Sequence, residues 1–490
     1  MTAAPAPSYR PTGVLSANPL APYEGPWSPR LAAHLLRRAG FGGSPADVAR
    51  LSSMPMRAAV DSLLQFPRSD ALPALPDVAA TAGQAMSGAS ALGAPALGDV
   101  AAERRREVRL QRRAQERANA LWWLNRMLAT PAPLQEKLTL FLHGHFATAS
   151  GTKGIYGLEI VQQNALLRRY ALGNWRELTH SLARDPAMLK YLDQARSRKA
   201  QPNENFAREL MELFTLGIGN YTENDVRESA RAFTGFTLAR RNGPYVYNAV
   251  QHDDGEKTFL GHTGNFGGDE VIDIIFAQPA APRWFARKLL AFFVYSDPEP
   301  ELVDATAALI RKNDFNMLPV VAALLRSNIF YDARSYRALV KSPVEFVIGS
   351  YRLFGLAQIK PDVLAVLARM GQIPFHPPSV KGWDGGAQWL NTQTVLAREN
   401  FSSSLTSAPD LVGERSWLTA GVPATANEAA AKLVATILQG DASPASLARL
   451  QSYLDGRETS ANGMLSGENS AERIRGAAYL AMALPAYQLA

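Results

Sequence analysis

The densest group of reactive side chains in this 490-residue chain is the run Asn203-Glu204-Asn205-Phe206-Ala207-Arg208-Glu209-Leu210-Met211-Glu212-Leu213. On a helix, Glu204, Arg208 and Glu212 recur every four residues and form one stripe, with Asn205 and Glu209 on an adjacent one. Phe206, Leu210, Leu213 and Phe214 then face a core. Three carboxylates around one arginine can anchor a metal, position a general acid–base pair, or form an ion-pair ladder. The flanking Phe206 and Met211 predict a largely buried helix, in which each carboxylate needs a partner.

Three other stretches offer groups that could join that centre. His143-Gly144-His145 ends an apolar helix, where two histidines could converge on one ion. Their i, i+2 spacing does not share a helix face, so two separately satisfied histidines is the plainer reading. His252-Asp253-Asp254, with Lys257 and His262, lies in an irregular segment and suits a metal site, an acid–base pair, or a polar turn capped by Asp. Asp193 closes the apolar segment 188–192 and could reach the same centre. Trp383 and Trp389 could line an aromatic rim or belong to a core.

Several chemistries are excluded or disfavoured. With no cysteine, thiolate nucleophiles, iron–sulfur clusters and cysteine-bound zinc are ruled out. No Gly-rich phosphate loop with a following Lys-Ser/Thr, dinucleotide fingerprint, Gly-x-Ser-x-Gly elbow or His-Glu-x-x-His helix is present.

The elements that must position these residues are mostly α-helical: a multi-helix, bundle-like globular protein with a small β-hairpin or irregular insertion near 244–268. An extended arm (1–27) leads to a helical hairpin (28–67), whose second helix runs from Ser44-Pro45 to about Phe66. An Ala/Pro/Gly linker (68–100), a main helical domain carrying the site (101–400) and a C-terminal helical region (401–490) follow. Helices are predicted at 158–172, 174–184, 203–216, 223–238, 269–293, 301–312, 317–328, 342–355, 361–370, 425–455 and 470–484, with an aromatic loop at 371–392. Thr222 with Asp225 resembles a capping box. Tyr245-Val246-Tyr247 and Thr258-Phe259-Leu260 read as the strands of the insertion.

A 47% hydrophobic content against 19% charged places the chain among globular proteins able to bury a sizeable core. The net charge of +7 is modest for this length, and the arginines between 104 and 117 read first as a solvated helix face, making nucleic-acid binding the weakest partner reading. No basic segment followed by a continuous apolar stretch marks a signal peptide, and no window offers the ~18 apolar residues of a membrane helix.

The run from Asn203, continuing into Leu216-Gly217, Tyr221-Thr222 and Asp225-Val226, resembles the bacterial family called domain of unknown function 1800. So do Arg37-Arg38-Ala39-Gly40-Phe41-Gly42, His145-Phe146, Tyr191-Leu192-Asp193, Ala230-Arg231-Ala232 with Thr234-Gly235, His252-Asp253 with Lys257, and Lys341-Ser342-Pro343-Val344-Glu345. Phe141 and Phe236 stand where the family often has Trp, and both keep an aromatic. The resemblance implies a largely helical protein without an assigned activity. It also implies an association with a second family, domain of unknown function 1501, which resembles alkaline phosphatases and sulfatases and is frequently exported. That hints at a periplasmic or extracellular role on polysaccharide-like material.

The expectation is therefore a metal-assisted or carboxylate-based hydrolase or transferase. In it Glu204 and Glu209 act as base or join His145, Asp193 and Glu212 around a divalent ion. Arg208 orients them, His252 with Asp253 shuttles a proton, and Lys257 stabilises negative charge. The alternative is a non-catalytic scaffold or partner of an exported companion enzyme, its polar centre a structural ion-pair network.

Overall fold

Helices dominate because apolar stripes with a 3.6-residue period are punctuated by caps. The computed structural model describes residues 15, 18–66, 97–240, 243–408, 425–456 and 470–490; residues 68–96 of the linker expected at 68–100 lie outside the described residues, and its last four, 97–100, begin a helix. The chain opens with α1 (Pro29–Arg38), α2 (Pro45–Ser52) and α3 (Met56–Leu64). One helix was expected over 44–66; Pro55, which has no N–H to donate, divides it in two. The segment before α1 is tied down, Tyr23 N donating to Arg326 O (2.8 Å) and Ile329 N to Pro19 O (2.9 Å).

Next come α4 (Leu97–Ala129), α5 (Pro133–His145), α6 (Leu158–Arg169), α7 (Trp175–Leu182), α8 (Pro186–Tyr191), α9 (Glu204–Glu209) and α10 (Glu223–Ala232). The Thr222–Asp225 capping box forms as read. Its helix stops at Ala232, short of 238, because Gly235 takes a left-handed φ of 86° and starts a strand. The insertion is two hairpins, not one. β1 (Phe236–Leu238) pairs with β2 (Tyr245–Tyr247), and β3 (Lys257–Phe259) with β4 (His262–Gly264). Leu260 and Gly261 both have positive φ, the two-residue turn that matches strand twist and closes the second hairpin.

The remaining elements are α11 (Gly268–Ala277), α12 (Ala280–Phe293), α13 (Pro300–Lys312), α14 (Met317–Leu325), α15 (Asn328–Tyr331), α16 (Pro343–Leu353), α17 (Val363–Met370), α18 (Thr392–Thr406), α19 (Ala426–Ile437), α20 (Pro444–Asp455), α21 (Ser470–Ala483) and α22 (Pro485–Gln488). Buried apolar side chains gather in two cores. One holds Leu35, Leu138, Phe214 and Leu289; the other holds Trp123, Val347, Leu433 and Ala478, and so draws on both sides of residue 400. Helix α5 feeds both, with Leu138 and Leu142 in the first and Leu140 in the second. Arg104, Arg105, Arg106, Arg109, Arg112, Arg113 and Arg117 of α4 are exposed. Among the described residues no helix is long and apolar enough to cross a membrane.

Candidate functional site

Asn203 starts the acidic run by capping α9, its side chain accepting from Asn205 N at 2.9 Å. After Glu209 the helix widens into a π turn, Leu210–Thr215. Gly217 ends it in a left-handed conformation, with the Trp284 ring close against it. The wide turn needs outside partners for its last carbonyls. His145 Nε2 bonds Phe214 O at 2.9 Å, Trp284 Nε1 donates to Leu213 O at 3.0 Å and Asn220 Nδ2 donates to Leu216 O at 3.0 Å.

The π turn also divides the expected stripe. Arg208 reaches Glu204 (3.1 Å) and grips Glu223 through both nitrogens at 2.8 Å, whereas Glu212 accepts the Tyr221 hydroxyl at 2.9 Å. Phe206, Leu210 and Phe214 are buried as the pattern predicts; Leu213, expected with them, is only partly buried, and after the helix widens Met211 takes the buried place. The carboxylates of 204, 209 and 212 are not buried with them; they lie half-exposed at the surface, which corrects the expected largely buried helix.

Two acids of the run sit close enough to affect each other. Burial pushes the Glu209 carboxyl up, the charge of Glu212 adds to this, and Arg208 opposes it. Tyr191 stands beside them: burial, then the Glu209 charge, raises its hydroxyl. Lys153 Nζ donates to Tyr191 O (2.7 Å) and to Asp193 (2.6 Å), the latter residue held at a left-handed φ of 57°. Neighbouring contacts thus run from Tyr221 to Glu212, from Glu212 to Glu209, from Glu209 to Tyr191, and from the Tyr191 carbonyl through Lys153 to Asp193.

The other expected members stay apart from these contacts. Burial and then the Lys288 charge press His145 down to about 3, so the ring is neutral; it stacks on Phe141 and packs against Phe146 and Phe285. His143, on the other side of the helix, accepts from Phe375 N at 3.1 Å and packs on Trp123 and Trp383. The pair serves two cores and does not converge.

His252 Nδ1 bonds Thr234 O at 2.9 Å. Asp253 receives the Arg231 fork at 2.7 and 3.1 Å, and Lys257 Nζ donates to the carbonyls of Asp253 (2.6 Å) and Gly255 (2.9 Å). These residues clamp the second hairpin to α10; their donors and acceptors are turned inward on the loop. Among the described residues no group of three or more His, Asp or Glu is placed to hold a metal, so the expected ligand set His145, Asp193, Glu204, Glu209 and Glu212 is not assembled.

Tyr191, Tyr221 and Lys153 were missed in the sequence because each comes from a different element, with no spacing that ties it to the acids. The aromatic loop at 371–392 is irregular as expected, apart from a short turn of 3-10 helix at Gly386–Leu390. It seats Gly382 against Gly144, where an added Cβ would lie 2.1 Å from the Gly144 carbonyl oxygen at a φ of +82°. Gly382→Ala is expected to cost about 2 kcal/mol through this overpacking. Urea unfolding with an unchanged midpoint would contradict the contact.

No curated protein and no solved structure matches the chain. The model of the family described as "Protein of unknown function (DUF1800)" matches residues 34–489, and with nearly its whole length covered the chain belongs to that family.

Proposed function

We propose that the chain is a carboxylate-based hydrolase or transferase acting on polysaccharide-like material, with Glu209 and Glu212 as its working pair. The observation that carries this reading is their unequal surroundings. Glu209 is pushed toward its protonated form by burial and by Glu212, while Glu212 accepts a hydrogen bond from Tyr221. A carboxyl held toward its protonated form suits the role of acid, which leaves the role of base to its neighbour. Glu209 would protonate the departing oxygen; Glu212 would take the proton of the attacking water or hydroxyl. Tyr191 and Tyr221 supply aromatic faces suited to a sugar ring, and Asp193 keeps Lys153 beside Tyr191.

The test is a screen of tag-free protein on neutral and sulfated polysaccharides, with turnover followed as new reducing ends. Glu209→Gln and Glu212→Gln are each expected to lower the rate on any accepted substrate at least ~100-fold. Both should melt close to the wild type, since each side chain is half-exposed. Activity retained in both variants would sink the reading.

The scaffold reading, as partner of an exported companion, is favoured by the inward ionic clamp of Arg231, Asp253 and Lys257. It gains if wild-type protein turns over nothing in the screen while a companion of the domain of unknown function 1501 family co-purifies with it.

A further inference from the structure

Two of the sequence runs singled out above, Arg37-Arg38-Ala39-Gly40-Phe41-Gly42 and Lys341-Ser342-Pro343-Val344-Glu345, take no part in the acidic surface. They meet around a cavity between α1, α16, the end of α19 and the last residues of the chain, lined by Arg37, Lys341, Glu345, Gln439, Tyr487 and Ala490 among others. Its room is about 40 Å³. A water needs roughly 10–15 Å³ on that measure, so the space suits a few waters or one small ion.

The charge around it does not balance. Arg37, Arg38, Lys341 and Arg398 are only 7, 1, 9 and 1% exposed. Among the described residues none of the four is paired with an Asp or Glu side chain. Arg37 Nη1 donates to Gln439 Oε1 (2.6 Å), and its guanidinium lies 5.4 Å from the centre of the Tyr336 ring, with Tyr336 and Asp441 easing its charge, while its Nε and Nη2 meet no hydrogen-bond acceptor in good geometry. Arg38 donates to the carbonyls of Phe293 (3.1 Å) and Val294 (2.6 Å) and to a main-chain oxygen of Ala490 (3.4 Å). Arg398 bonds Gln488 Oε1 (3.2 Å) and Lys341 O (2.7 Å). The Lys341 amine rests 3.9 Å from the centre of the Tyr487 ring.

The nearby acids are already engaged. Glu345 holds Lys137 with one oxygen and Ser342 N with the other. Asp441 takes Arg30, Tyr336 and Arg337. Burial, then the charges of Arg337, Arg37 and Arg398, press the Lys341 amine well below its ordinary range. A buried cation without a counter-charge is costly, and an anion beside it relieves that cost.

We infer that this cavity is a binding site for a small oxyanion of the phosphate or sulfate class, held by the Lys341 amine and the Arg37 guanidinium. The Arg37 Nε and Nη2 lie on one edge of the guanidinium, the fork that pairs with two oxygens of such an ion. The site is separate from Glu209 and Glu212, so its test stands independently of the proposed chemistry.

Melting of the full chain is followed as phosphate or sulfate is added to about 10 mM over a chloride background near 0.15 M, where surface charges are already screened. The wild type is expected to gain several degrees with a saturable dependence, and Lys341→Met to lose the response. Gln439→Glu, which sets a carboxylate against Arg37, is expected to melt higher in chloride alone and to ignore the added ion. Whichever ion saturates at the lower concentration is the one the site selects. No response in the wild type, or an equal response in Lys341→Met, overturns the proposal. Should Lys341→Met fail to fold, a Gln439→Glu protein that still responds overturns it instead.

Discussion

Glu136→Ala is expected to destabilise the chain by about 3–5 kcal/mol, the range for removing one partner of a buried ion pair. Glu136 is fully buried. Its carboxylate accepts the Arg168 fork at 2.6 and 2.9 Å, Arg126 Nε at 2.5 Å and the indole of Trp123 at 2.9 Å. Burial pushes this carboxyl up, but the hydrogen bonds and charges of Arg168 and Arg126 outweigh it and hold it below the usual carboxylate range. A depressed folded value means that the stabilisation is present above the unfolded value and fades as pH falls through the folded one. The alanine variant strands Arg168, itself 7% exposed. Urea titrations of Glu136→Ala, Arg168→Ala and the double variant check this. The double variant should cost less than the sum of the singles, and simple additivity would refute the pairing.

Asp185→Asn should remove a slope from the pH dependence of stability. Asp185 caps α8, accepting from Met188 N at 2.9 Å and from Gln163 Nε2 at 2.7 Å. Burial raises its carboxyl from 3.8 to about 6, against the pull of those hydrogen bonds. The folded state then holds the proton more tightly than the unfolded state does. Stability is therefore highest in the protonated form, falls by about 3 kcal/mol as pH climbs from near 4 to near 6, and is flat above. Asparagine keeps the capping oxygen, and its amide can meet the Gln163 Oε1 that otherwise lacks a partner. Urea midpoints of both proteins between pH 4 and pH 7 provide the comparison; parallel curves would refute the burial argument.

What could be read from the residues was local. The Thr222–Asp225 box, the helix end after residue 216 and three of the four apolar-face residues, Phe206, Leu210 and Phe214, depend on neighbours a turn away and are present, while Leu213 is only partly buried. The family and the mostly helical fold were legible for the same reason. The π turn was not, because its wider hydrogen bonding answers to His145 and Trp284, which come from other helices. That turn decides that Glu212 takes Tyr221 and leaves Arg208 to Glu204 and Glu223. The roles of His145 and His252 were likewise set by distant backbone carbonyls, those of Phe214 and Thr234. Nothing in the spacing of Arg37 and Lys341 announced that they would face one cavity.

Helix α5 has consequences for how the molecule comes apart. Nearly every residue from Pro133 to His145 is buried, including Glu136 and Lys137, whose partners Arg168 and Glu345 belong to two different helices, α6 and α16. Neither half could be cut free without exposing this rod and stranding a charge. Melting should therefore be a single concerted event in calorimetry, and fragments divided near residue 340 should fail to hold structure until they are mixed.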